Sequence, residues 1–321
     1  WHLTWDGTRF VVRTEANANA VIAGEARNLS PALVADDVKD RIEKAFKSYG
    51  GYKAVLFPAG PGNVDDRPEL QVVVLDHEDT TVTDKTSSPP PNRAAEIRAH
   101  KGAGNDFRTY RNGVAFLVAD SNQVQPLHDR VRKHLAVKKI LDSDDRVAQL
   151  GDEVIRKIRE LEKSALLDVR VAISRAYCHL YYSTKDEKNA DLRHFELPVS
   201  SKGSVEDNQV KSVIETLQAE GKIRTDKIGY DYLRSKAWPK GADEIATDDL
   251  ADAFWRDHGA AIVEWTFIAD AIRNGVKAGE WVYYDADDQK VWGPDDPAPN
   301  PQRKPGSLLY LPDRAKELGL L

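Results

Sequence analysis

Arg108 and Arg111, followed by Asn112, stand just ahead of an apolar run at 114–118. A guanidinium is a permanently charged planar fork that matches phosphate oxygens. The two arginines can therefore serve a phosphate held elsewhere, in the manner of an arginine finger. The competing reading pairs them with a local carboxylate such as Asp106 or Asp120. Basic charge gathers around them: residues 93–140 hold ten Lys+Arg against four Asp+Glu, in a chain whose net charge is −6. Arg108, Arg111 and Asn112 are the phosphate- or interdomain-facing candidates. Lys101, Arg130, Arg132, Lys133, Lys138 and Lys139 form a candidate anion or nucleic-acid patch.

Other chemistry is thin. Residues 70–76 read as a hydrophobic strand ending in Asp76, a pattern shared with the metal-holding strands of P-loop ATPases. The phosphate loop itself is absent, because the glycines at 60, 62, 102 and 104 precede no Lys-Ser/Thr pair. Of the eight histidines, His128 and His134 are six apart and do not stack on one helix face. Cys178, the one cysteine, sits in an apolar stretch and reads as a buried core thiol. No Ser-His-Asp or Cys-His arrangement stands out. No catalytic residue, metal site or cofactor of its own is expected for this chain.

The elements that must carry these residues follow from pattern. Residues 1–13 look like a hairpin around Asp6-Gly7. Ser30-Pro31 is a helix start, with Leu33, Val34, Val38, Ile42 and Phe46 on one stripe and Gly50-Gly51 as its stop. Residues 54–57, 70–75 and 114–118 are strands, the last feeding a helix through Ser121 or Asn122. Residues 154–182 read as one long amphipathic helix. After 204 come amphipathic helices, then a hairpin at 281–292, the order of a winged helix-turn-helix module. Its span 242–292 carries twelve acidic against four basic residues, which suits protein contact better than DNA. The expected fold class is α/β, an open mixed or parallel sheet. Its parts are an α/β domain at 1–142, a long-helix connector at 143–200, a winged-helix-like region at 201–292, and a proline-rich linker with a terminal strand and helix at 293–321.

Composition supports a globular chain: 41% hydrophobic and 31% charged residues, the latter above the roughly 25% usual for soluble proteins. A single cysteine permits no internal disulfide, so a reducing cytoplasm is expected. No apolar run approaches the ~20 residues of a membrane span. The chain starts at Trp1 and contains no methionine, which reads as a piece of a larger protein.

Three stretches in order, RTEANANAVI (13–22), FPAGPGNVDDRPELQVVVLD (57–76) and NDFRTYRNGVAFLVAD (105–120) with the basic helix after it, resemble the domain-of-unknown-function 499 family. These are large P-loop ATPases of prokaryotic anti-phage and DNA-modification islands, including those of BREX and phage-growth-limitation systems. IRNGVKAGEWVYY (272–284) is similar to a later region of that family. The resemblance implies a parent that binds ATP and Mg through a phosphate loop before Trp1. It also implies partners: the N-terminal ATPase part, other defence subunits, and DNA. The expected role is non-catalytic coupling of nucleotide state to partner or DNA engagement. The alternatives are a stand-alone winged-helix DNA-binding module and a structural scaffold of a defence complex.

Overall fold

The computed structural model describes residues 2–5, 8, 10–13, 17–83, 89–104, 106–185, 187–198 and 206–321, with the first two strands as main chain only. Those strands, β1 (His2–Trp5) and β2 (Phe10–Arg13), pair antiparallel. Their expected turn, Asp6-Gly7, lies outside the described residues. Helix α1 (Ala18–Arg27) begins where the Asn17 side chain accepts from the Asn19 N–H. In α2 (Pro31–Ala45) Ser30 caps and proline takes the first turn, as the sequence predicts; Val34, Val38 and Ile42 are buried. The helix ends earlier than the expected Gly50-Gly51 stop, at Ala45 with Phe46 as its C-cap. The two glycines instead make the turn between Tyr49 and Tyr52, at φ of 58° and 86° that side chains resist.

The main sheet starts with β3 (Lys53–Leu56), β4 (Gln71–Val74) and β5 (Thr81–Val82). Helix α3 (Asn92–Ala99) and a small ribbon, β6 (His100–Lys101) with β7 (Asp106–Phe107), precede the central strand β8 (Val114–Asp120). Then come α4 (Ser121–Leu141), α5 (Asp144–Gln149) and α6 (Asp152–Ala176), followed by β9 (His179–Ser183) and β10 (Leu192–Glu196). The strand order is β10-β9-β8-β4-β3, with β5 against the end of β8. Strands β3, β4, β5 and β8 run parallel; β9 and β10 are antiparallel additions. Alternation along β4, β8 and β9 sends Val72, Val74, Ala115, Leu117 and Leu180 into one core with α1, α2, α4 and α6. Val73, Val114, Phe116, Val118 and Tyr181 enter a second core under α3. Both faces are covered, so β8 is buried at every residue.

Two sequence expectations are corrected here. Residues 154–182 are not one helix: α6 ends at Ala176, and 179–183 is a strand in the sheet. The segment 143–200 is therefore part of the α/β body, with α6 packed on α4, rather than a connector.

The C-terminal half starts with α7 (Gln209–Ala219) and β11 (Ile223–Arg224), whose Val210, Val213, Leu217 and Ile223 belong to the first core. A separate core lies beneath α8 (Tyr230–Ala237), β12 (Glu244–Ala246), α9 (Thr247–Arg256), β13 (Ile262–Val263) and α10 (Trp265–Lys277). Helices α8 and α10, and α8 and α9, pack together. The hairpin read at 281–292 is present as β14 (Val282–Asp285) and β15 (Lys290–Trp292). Residues 293–321 are more than a docked tail. Their strand β16 (Ser307–Tyr310) lies between β12 and β14 in a four-stranded antiparallel sheet, and α11 (Pro312–Glu317) follows it. The whole is α/β with mixed sheets and eleven helices among the described residues.

Candidate functional site

Two polar clusters sit at opposite ends of β8. At its entrance, Arg108 is 2% exposed. Its Nε donates to Ile97 O (2.9 Å), Nη1 to Asp65 O (2.6 Å) and Nη2 to Val64 O (3.0 Å). The Asp66 carboxylate accepts from the N–H groups of Thr109 (3.0 Å) and Tyr110 (2.9 Å) and pairs with Lys101 (3.0 Å). Burial opposes its ionisation, but those N–H groups and Lys101 outweigh that and hold the carboxyl below its ordinary value. Gly113 is required at the turn, because a Cβ there would lie 2.6 Å from Glu69 O.

The same entrance holds the C-terminal unit. Tyr110 O–H donates to Asp252 (2.7 Å), and Asn112 Nδ2 donates to Phe254 O (2.7 Å) and Ala260 O (3.1 Å). Lys222 Nζ also donates to Ala260 O (3.0 Å), and to His258 O (3.1 Å). Burial pushes this amine down to about 7; Asp257 opposes the shift and Arg98 adds to it.

The phosphate-facing expectation for Arg108 is thereby corrected: its guanidinium is consumed by main-chain carbonyls inside the body. Of the competing reading, neither Asp106 nor Asp120 is the partner, but a neighbouring carboxylate is close: Asp66 lies 4.0 Å from Arg108 Nη1. Arg111 is half-buried, with Nε donating to Arg108 O (3.2 Å) and its guanidinium 5.6 Å from the centre of the Phe107 ring. Asn112 lies at the junction of the two units.

The basic candidates do not form one open field. Lys101 is near Asp66, away from the α4 residues. On α4, Arg130 is 4.0 Å from Asp168, Arg132 is 3.6 Å from Asp129, and Lys139 is 2.7 Å from Glu25. Lys138 is exposed and Lys133 half-buried. Asp76, the acid after β4, pairs with Lys39 (3.1 Å) and accepts from the Glu78 N–H (3.0 Å).

At the exit of β8, Asp120 caps α4 by accepting from the Asn122 N–H (2.8 Å). The neighbouring strand begins there, with Val118 opposite His179. Ligand atoms of Asp120, Cys178 and His179 all lie within 4.8 Å of one another, and all three residues are buried. His179 Nδ1 is 2.8 Å from His194 Nε2 on β10. Just before Cys178, Tyr177 O–H donates to Leu75 O (3.1 Å) beside His77, whose Nε2 is 3.3 Å from His128 Nε2. Burial lowers the pKa of both His77 and His128, so neutral rings are favoured. Sequence reasoning missed the exit cluster. The adjacent pair Cys178-His179 was its one local sign, and the pairing of β9 with β8 brings Asp120 to it.

No family model, curated protein or solved structure matches this chain. No helix among the described residues is long and apolar enough to cross a membrane.

Proposed function

We propose that the chain is the non-catalytic part of a prokaryotic anti-phage P-loop ATPase, coupling nucleotide state held elsewhere to engagement of partners or DNA. The resemblance in residues 13–22, 57–76 and 105–120 motivates the assignment. The observation that carries the mechanism is the doubly fastened entrance of β8. The loop is tied to the body through Arg108 and Asp66, and to the C-terminal unit through Tyr110 and Asn112. A displacement of that loop moves both units together, as a coupling element requires. Arg111 is the guanidinium at this corner that can answer to an anion on the ATP-bearing part. The C-terminal helices and hairpin act as a winged-helix-like contact module for a protein partner. Its −8 balance over 242–292 and the ion pairs of the α4 basic residues both weigh against DNA as its first target.

The test uses the full-length parent with Arg111→Glu and, separately, Asn112→Ala. ATP turnover and assembly with other defence subunits should both fall while nucleotide affinity holds. Turnover and assembly at the unsubstituted level in both variants would remove the proposal. Binding of DNA by this chain, weakening steeply as salt rises, would favour the DNA-binding alternative.

A further inference from the structure

We propose that Asp120, Cys178 and His179 bind one divalent transition-metal ion of the zinc class, pinning the end of β8 to the start of β9. The donors come from positions 58 and 59 residues apart in sequence numbering (120 against 178 and 179), yet their ligand atoms lie within 4.8 Å. A tetrahedral ion with bonds of ~2.0–2.3 Å places donors about 3.5 Å apart, so small side-chain rotations close the site. Thiolate and imidazole select a borderline or soft ion and disfavour Mg and Ca, which take all-oxygen shells.

The surrounding groups orient the donors. One Asp120 oxygen is committed to the Asn122 N–H, which aims the carboxylate from the head of α4. His179 Nδ1 is committed to His194 at 2.8 Å, which fixes the ring plane and directs Nε2 to the metal. Neighbouring strands in fixed register carry the rest, so the backbone needs no rearrangement. Asp120 and His179 are 0% exposed and Cys178 2%. Three protein donors leave the fourth tetrahedral position to a water molecule. Because the donors are enclosed, a substrate has no approach and the ion's role is structural. On binding, the Cys178 thiol proton is released to solvent and the sulfur–metal bond takes its place.

The experiment refolds the full chain with one equivalent of Zn(II) or Co(II), because the site is enclosed once folded. Elemental analysis after desalting should give one metal per chain. The Co(II) form should show a thiolate-to-metal charge-transfer band in the near ultraviolet, and excess Mg(II) should leave it unchanged. Cys178→Ser should abolish the band. His194→Gln should retain it with affinity lowered roughly 10–100-fold. The wild-type measurement stands even where a variant fails to fold. A correctly folded wild-type chain, by circular dichroism, with no band and no bound zinc overturns the proposal, as does metal whose binding Cys178→Ser leaves intact. ATP turnover is not read, so this result and that of the coupling experiment are independent.

Discussion

The entrance and the exit of β8 are both buried and polar, yet they are built on opposite plans. At the entrance, side chains discharge onto main chain: Arg108 spends its donors on three carbonyls, and Asn112 on two. Such donors lock a loop and are spent on main chain, although the Asn112 side-chain oxygen stays buried without a hydrogen bond. At the exit, side chains face side chains: a carboxylate, a thiol and two imidazoles converge. Groups of that kind can exchange protons or take an ion without dismantling the backbone. Burial alone therefore does not separate frame from chemistry. The identity of the partner atoms does.

The difference can be broken most forcefully at Arg108. Arg108→Met strands carbonyls 64, 65 and 97 and should lower unfolding stability by about 3 kcal/mol in urea titration. A change near zero would refute the locked-frame account of the entrance. Next, Gly113→Ala drives a Cβ against the Glu69 carbonyl, 2.6 Å away, and should cost about 2 kcal/mol by the same measurement. Asn112→Ala should cost about 1.5 kcal/mol. Hydrogen exchange should locate the loosening at α9 and the 257–261 turn, with β9 and β10 unmoved.

At the exit, with chelator present, Asp120→Asn keeps a side-chain oxygen for the Asn122 N–H, whereas Asp120→Ala removes it. The alanine form should be less stable by about 1 kcal/mol. Equal stabilities would deny Asp120 its capping role. The smallest effect is a pH slope. Folded Lys222 gives up its proton near 7, against an ordinary value of 10.5. Between those values the unfolded chain binds more protons, so stability rises with pH; below 7 both states are protonated and the burial penalty is at its full size. Lys222→Met should flatten that rise between pH 7 and 9.5 in denaturant titrations. An unchanged slope would place the titrating group elsewhere.

Much of the scaffold was legible because its signals are local. Ser30-Pro31 gives a cap and a first-turn proline, 114–118 is apolar throughout, and the 281–292 hairpin has its turn between two β-rich runs. The end of α6 was hidden for a definite reason. The stripe Val169, Ala172, Ala176 continues in step to Leu180, and no Gly or Pro marks the stop. There the pattern is helical although the backbone breaks at Tyr177, with φ −93° and ψ 63°. Helix α8 buries only Leu233 and Ala237, too few to show a period. Arg108 is legible as a residue of interest with a carboxylate close by, Asp66 at 4.0 Å, but its three carbonyl acceptors leave no trace in residue types. The exit cluster stayed invisible because its acid and its Cys-His pair meet only through strand pairing across α4, α5 and α6.

The first core does not end where the sequence suggests a boundary near 201. Val210, Ile214 and Ile223, together with Trp255 and Ile262, complete the same apolar layer as the sheet helices. Above it one carbonyl, Ala260 O, accepts from Asn112 and Lys222 on separate elements. Severing the chain at that boundary would not release two self-sufficient halves. It would leave two sticky, unfinished surfaces, so any exchange of parts between relatives must carry α7, β11 and the α9–β13 turn along with the body.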